Sequence, residues 1–240
     1  MAAKGLPAGA ATARKLALTA SHAPLPGGRS YWLGGITGGA TPRPLVIGLH
    51  GSGQTADSCN AQFWTGSTDG WIGHAASAGY TLALGEGVAN NWNPGGTWPS
   101  SGQDDIAYLR SLVTDAALRT PIDLTQVYIA GFSAGGAMAW TALCTDPLLF
   151  TAGGSASGWA AQYPTQPVDY WHIHGTGDTT VPIRGGVAFK GVNYPAAVVE
   201  ATRAPRGSRC VLYPTDGGHA VPGWMASQLW AFWTIDRLRP

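Results

Sequence analysis

The sequence predicts an α/β domain with a mostly parallel central sheet flanked by helices on both faces. Two observations carry that expectation. Short apolar runs, Pro44 to Leu49 (PLVIGL), Tyr80 to Leu84 and Val127 to Ala130, have the unbroken hydrophobicity of strands buried on both sides. Longer segments with helical periodicity stand between them, and strands that alternate with helices form parallel sheets through crossover connections. The 240 residues suit one such domain, spanning residues 1–240, with residues 1–13 as a flexible arm.

Taken in order, Lys15 to Ser21 and Arg29 to Gly34 read as two short strands separated by a Pro-Gly-Gly turn at Pro26 to Gly28. Pro44 to Leu49 is the first buried strand and ends in His50-Gly51-Ser52-Gly53-Gln54. Trp64 to Ala78 reads as a helix weakened by glycines, and Tyr80 to Leu84 as the next strand. Glu86 to Ser101 (EGVANNWNPGGTWPSS) is too rich in Gly, Pro and Asn for regular structure and is expected to be a long loop. Gln103 to Leu118 is helical, because Ile106, Leu109, Leu112, Val113 and Ala116 recur at 3/4 spacing. Val127 to Ala130 is a strand followed by a helix from Ala134 to Cys144. Phe150 to Ala156 and Tyr170 to His174 are strands, Tyr194 to Ala204 a short helix, Cys210 to Tyr213 the last strand and Pro222 to Leu238 a closing helix.

Composition narrows the function. Charged residues are only 11% and the net charge is +1, so nothing marks a nucleic-acid or anionic-membrane partner. No apolar run approaches the roughly 20 residues that span a bilayer. Residues 1–13 lack the apolar core of a secretory signal; a mature secreted chain with an added Met1 and a cytosolic chain would both look like this. The low charge and the abundance of Gly and Trp favour a secreted protein, and a monomer is expected. Cys59, Cys144 and Cys210 allow one disulfide with one thiol over, and the sequence does not choose the pair. No Cys-x-x-Cys occurs and no His lies at metal-ligand spacing from a Cys, so a structural zinc site is not expected. The serine chemistry of the strand-end motifs needs no metal or organic cofactor.

Chemistry enters at strand ends. Gly131-Phe132-Ser133-Ala134-Gly135 follows an apolar run and opens a helix, the strand–turn–helix setting that lifts a serine hydroxyl clear of a sheet. His50-Gly51-Ser52 follows an earlier strand, where a glycine-rich loop can offer a second backbone N–H for an oxyanion; Ser52 and Ala134 are the candidate donors. His50 itself reads as a buried brace of that loop. Asp178, closing His174-Gly175-Thr176-Gly177-Asp178, can orient an imidazole, and His219 in Gly217-Gly218-His219 can take a proton near neutral pH. His22, His74 and His172 read as ordinary histidines, and Asp104 and Asp105 as helix-dipole partners. Each signal alone is weak, but Ser133, Asp178 and His219 fall in that order after successive strands.

With these motifs assembled, the chain resembles the α/β-hydrolase superfamily. Within it, the chain is similar to the secreted esterase group of polyhydroxybutyrate depolymerases, feruloyl esterases and acetyl xylan esterases. The resemblance rests on Leu49 to Gln54, Trp92-Asn93, Asp104 to Arg110, Pro121 to Ala139, His172 to Pro182 and Gly217 to Gly223. It implies Ser133 as nucleophile, Asp178 and His219 as its partners, and the Ser52 and Ala134 amides as oxyanion donors. The group commonly has Thr-Trp after the catalytic histidine, whereas this chain has Ala220-Val221, which leaves substrate preference open.

The segment Ser157 to Pro167 is short, leaving little or no lid and an open cleft suited to polymers or bulky esters. Of the 11 tryptophans, Trp92, Trp98, Trp159 and Trp224 fall in segments expected to face that cleft and are candidate substrate-binding residues. The expected function is a serine carboxylic ester hydrolase acting on an ester substrate, polymeric or short-chain. The alternatives are an acyltransferase on the same fold and a non-catalytic polymer-binding relative.

Overall fold

The computed structural model describes residues 20–197 and 202–234. The main sheet contains β1 (Ser21–Pro24), β2 (Ser30–Gly35), β3 (Arg43–Leu49), β4 (Thr81–Gly85), β5 (Ile122–Phe132), β6 (Ala152–Ala156), β7 (Asp169–Gly175) and β10 (Arg209–Thr215). Their order is β1-β2-β4-β3-β5-β6-β7-β10. The pairings β1·β2 and β2·β4 are antiparallel, and from β4 to β10 every pairing is parallel. A separate two-stranded hairpin, β8 (Gly186–Val187) and β9 (Asn193–Tyr194), lies between β7 and β10 in the chain.

The sheet is flanked by α1 (Ala56–Phe63), α2 (Gly70–Ala78), α3 (Asp105–Arg119), α4 (Ala134–Thr145) and α5 (Met225–Thr234). Strand side chains alternate between two cores, as a period of two requires. Leu45, Ile47 and Leu49 of β3, with Val127 and Ile129 of β5, pack with Leu109, Leu112 and Val113 of α3 and Met138 and Trp140 of α4. Val46 of β3, with Tyr128 and Ala130 of β5, packs on the other face with Phe63, Trp71, Ile72, Leu229 and Trp233. Both faces are dry, which is why these strands read as continuous apolar runs. No described helix is long and apolar enough to cross a membrane.

Several expectations need correction. The helix expected from Trp64 to Ala78 is shortened to α2, because Trp64 is extended (φ −147°, ψ 117°) and the chain enters the helix through Gly70 at φ +62°; α1, which lies before Trp64, is not among the expected elements. The strand expected from Phe150 starts at Ala152, because the Leu149 and Phe150 amides turn back onto the Asp146 carbonyl. The strand expected from Lys15 lies mostly outside the described residues, and β1 occupies Ser21–Pro24. The flexible arm at 1–13, residues 198–201 of the helix expected from Tyr194 to Ala204 and the end of the closing helix also fall outside them; that helix does not begin at Tyr194, which pairs as the last residue of β9. No disulfide joins Cys59, Cys144 and Cys210 to one another, so the one bridge that three cysteines allow is not formed among them.

Candidate active site

The parallel strands end together along one edge, where open α/β sheets place their sites. Ser133 stands there between β5 and α4 at φ 53°, ψ −120°, a backbone conformation that costs a non-glycine residue roughly 1–3 kcal/mol. Its surroundings over-determine it. The Ser133 amide donates to the Ala156 carbonyl at 2.9 Å, and its carbonyl accepts from the Ala137 amide at 3.0 Å. A Cβ on Gly131 would strike the Gly135 backbone, and one on Gly135 would strike the Leu49 and His50 carbonyls. These two glycines therefore let the turn close and let α4 begin in backbone contact with the end of β3.

His219 lies on the loop after β10, and its Nε2 is 3.0 Å from Ser133 Oγ. Its Nδ1 is 2.8 Å from Asp178 Oδ2. Because Nδ1 faces a carboxylate it carries the proton, leaving Nε2 to accept from the Ser133 hydroxyl. The His219 ring packs on Phe132, with centroids 4.9 Å apart. Gly175 makes the approach from β7 feasible, since a Cβ there would collide with the Gly217 and Gly218 carbonyls.

Asp178 is buried and multiply bonded. Its Oδ1 accepts from the Thr180 and Val181 amides, each at 2.9 Å. Its Oδ2 also lies 3.3 Å from His174 Nε2, whose N–H is shared with the Val181 carbonyl at 2.7 Å. Burial alone would raise the Asp178 pKa, but hydrogen bonds from His174, His219 and the Val181 amide outweigh it and hold the carboxyl well below the usual range. Behind His174 sits His172, its Nε2 3.0 Å from His174 Nδ1. Reading His172 as an ordinary histidine missed this pair. The signal was available: residues two apart on a strand share a face, so His172-Ile173-His174 places two imidazoles side by side.

His50 is fully buried, as a loop brace should be. Its Nδ1 lies 2.8 Å from the Gly51 carbonyl, and its Nε2 accepts from the Gly87 amide at 3.0 Å. Desolvation lowers its pKa to about 4, so it is neutral at ordinary pH. The loop it braces carries Ser52. Among the described residues no group accepts from the Ser52 or Ala134 amides, and Ala134 opens α4, where first-turn N–H groups have no helical partner.

The tryptophans divide. Trp92, expected to face substrate, is fully buried, with its indole N–H donated to the His50 carbonyl at 2.8 Å and its ring 5.0 Å from the His50 ring. It is a core residue holding the same brace. Trp98 and Trp159, also expected to face substrate, are buried and pack on each other at 4.9 Å; only Trp159 edges a hollow, of about 330 Å³, with Gly96, Tyr163 and Tyr194. Trp224 is 41% exposed and packs edge-on against Tyr213. Asp104 caps α3, accepting from the Ala107 amide, and Asp105 stands in its first turn, where its charge complements the helix dipole. Asp105 is buried, pairs with Arg29 at 2.6 Å and accepts from the Asn93 amide, tying the long Glu86–Ser101 segment to the sheet. No three His, Cys, Asp or Glu side chains among the described residues are grouped so as to hold a metal ion.

Residues 36–196 match the phospholipase/carboxylesterase family. The chain belongs to that family. The matched span contains Ser52, Ser133 and Asp178 and stops short of His219, whose place in the site rests on its two contacts above. A protein named "Putative esterase NocK" from Nocardia uniformis is 32% identical over 151 residues, covering 60% of this chain and 42% of that protein. Feruloyl esterase C from Emericella nidulans is 28% identical over 155 residues, 62% of this chain and 53% of its own length. The chain thus spans about half the length of the curated relatives it matches. The structure of an acetyl xylan esterase from Aspergillus awamori aligns over 89% of this chain and 98% of that one, with a TM-score of 0.64 at 14% identity. This likeness is one of fold: the α/β-hydrolase fold, as this family's carboxylesterases have it.

Proposed function

We propose that this protein is a serine carboxylic ester hydrolase that cleaves polymer-linked or short-chain esters. The observation that carries the reading is the His219 ring, which bridges Ser133 Oγ and Asp178 Oδ2 through its two nitrogens. His219 takes the hydroxyl proton as Ser133 attacks the ester carbonyl. Asp178 stabilises the imidazolium and keeps its tautomer. The Ser52 and Ala134 amides receive the oxyanion, His219 protonates the departing alcohol, and water repeats the cycle on the acyl-enzyme.

The names of the relatives support feruloyl or acetyl esters of polysaccharides as substrates, with polyhydroxyalkanoate-type polyesters the further candidate. Trp224, which is exposed, and the edge of Trp159 that lines the hollow are the aromatic surfaces left for such substrates. The low charge supports work outside the cell.

The test is turnover of p-nitrophenyl butyrate, methyl ferulate, acetylated xylan and a 3-hydroxybutyrate oligomer by the wild type and Ser133→Ala. Cleavage of any of them by the wild type alone supports the reading, and the preferred ester names the substrate. Absence of cleavage by both proteins overturns it in favour of a binding protein. An added acceptor alcohol that captures most of the acyl group would make the protein an acyltransferase instead.

A further inference from the structure

The β8–β9 hairpin follows Asp178 in the chain and carries Lys190 at its tip. Lys190 adopts φ 58°, ψ 17°, a left-handed conformation uncommon for a residue with a side chain. It is the one lysine beyond Lys15. Its ammonium lies 3.4 Å from Ser52 Oγ and 4.7 Å above the Trp98 ring.

The position is held by a closed circuit of contacts. Lys190 sits on Trp98, Trp98 on Trp159 at 4.9 Å and Trp159 on Tyr194 at 5.1 Å. The Tyr194 hydroxyl then donates to the Phe189 carbonyl at 3.0 Å, which returns to Lys190. Three segments distant in sequence thus fix one cation beside the residue whose amide is the proposed oxyanion donor. No described carboxylate pairs with that cation. Its partners are a neutral hydroxyl, the Trp98 indole face and the Phe189 ring at 5.5 Å, each of which binds an ammonium more weakly than a carboxylate does.

We propose that Lys190 reads an anionic group on the ester, so that the site prefers substrates carrying a carboxylate a few bonds from the scissile carbonyl. Half-esters of dicarboxylic acids and oligoesters with a free acid end belong to this class. The inference rests on the ester-hydrolase reading of the same site. A carboxylate displaces Ser52 Oγ as the partner of Lys190, and its charge is met before the ester carbonyl settles against the Ser52 amide. Lys190 in this role determines specificity and takes no part in the proton transfers.

The experiment measures kcat/KM by pH-stat on two charged/neutral pairs: monoethyl glutarate against ethyl pentanoate, and butyryl glycolate against ethyl butyrate. The first pair places the charge in the acyl part and the second in the alcohol. In Lys190→Met at low ionic strength the charged-to-neutral ratio should fall about threefold to fivefold for one pair, the size expected for one solvent-exposed ion pair. Lys190→Arg should restore much of it, and Lys190→Glu should depress it further. Added NaCl should erode the wild-type ratio, since an exposed ion pair is screened. Ratios within twofold of wild type for both pairs in Lys190→Met overturn the inference and leave Lys190 a solubilising surface charge. Hydrolysis of the neutral esters by the wild type but not by Ser133→Ala shows the esterase reading intact in that event; no hydrolysis of these four, nor of the four esters that test the proposed function, overturns both.

Discussion

His50 and His219 both follow the carboxyl end of a sheet strand, and both border the segment around Ser133. Their surroundings set them apart. His50 is sealed, with one ring nitrogen on a backbone carbonyl and the other on a backbone amide, so neither can exchange a proton without breaking the loop. His219 keeps an 18% exposed side chain, one nitrogen on a carboxylate and the other on a hydroxyl. The lesson is that a histidine's role follows from what its two nitrogens touch and from whether water can reach the ring.

The contrast can be broken most decisively at the relay. Ser133→Ala or His219→Gln should lower kcat by about 10⁶, with circular dichroism unchanged. A loss below about a hundredfold in either variant would remove the relay from the chemistry. Asp178→Asn keeps the shape but presents an amide to His219 Nδ1 and favours the wrong tautomer; the expected loss is about 10⁴ in kcat.

The brace is tested through stability. His50 titrates near 6.5 when unfolded and near 4 when folded, because burial disfavours its cation. Between those values the unfolded chain binds a proton that the native state refuses. Stability therefore falls as pH drops from about 6.5 towards 4, by on the order of 3 kcal/mol from this residue. His50→Gln, which can donate to Gly51 and accept from Gly87 without titrating, should flatten the Tm-against-pH curve in that window and cost less than about tenfold in activity. Parallel curves for the two proteins would contradict the assignment.

His174 sharpens the comparison, since it is sealed like His50 yet touches the relay through Asp178. His174→Phe removes one donor from the Asp178 carboxylate, which then stabilises the His219 imidazolium more strongly. The acidic limb of kcat/KM should move to higher pH, with roughly tenfold lower activity at neutral pH, and His174→Gln should reverse part of both. A rate loss without movement of the limb would mean that His174 only fills space.

Much of this arrangement was legible because single residue types carried it. The runs at Val46 and Tyr128 read as strands because both faces are dry, and Ser133 was marked by glycines that backbone contact demands. What escaped depended on packing across the chain. Helix α1 has only 8 residues, about two turns, too few for a 3/4 repeat of apolar residues to stand out in ADSCNAQF. Trp92 lies in a Gly- and Pro-rich segment that reads as exposed, yet the Arg29–Asp105 pair draws that segment inward. Asp105 itself could not be told from a surface cap, because its partner is 76 residues away. Lys190 has no local signature, since its neighbours arrive from two other loops.

The backbone of Ser133 has a consequence for how such a protein changes over generations. At φ 53°, ψ −120° a glycine would be at ease, so the exchange Ser133→Gly relieves strain and should raise Tm while abolishing turnover. Mutational drift under selection for folding alone would favour that exchange. A lineage retaining serine there records continued selection for the hydroxyl, and lineages that have lost the activity are where glycine at this position is to be sought.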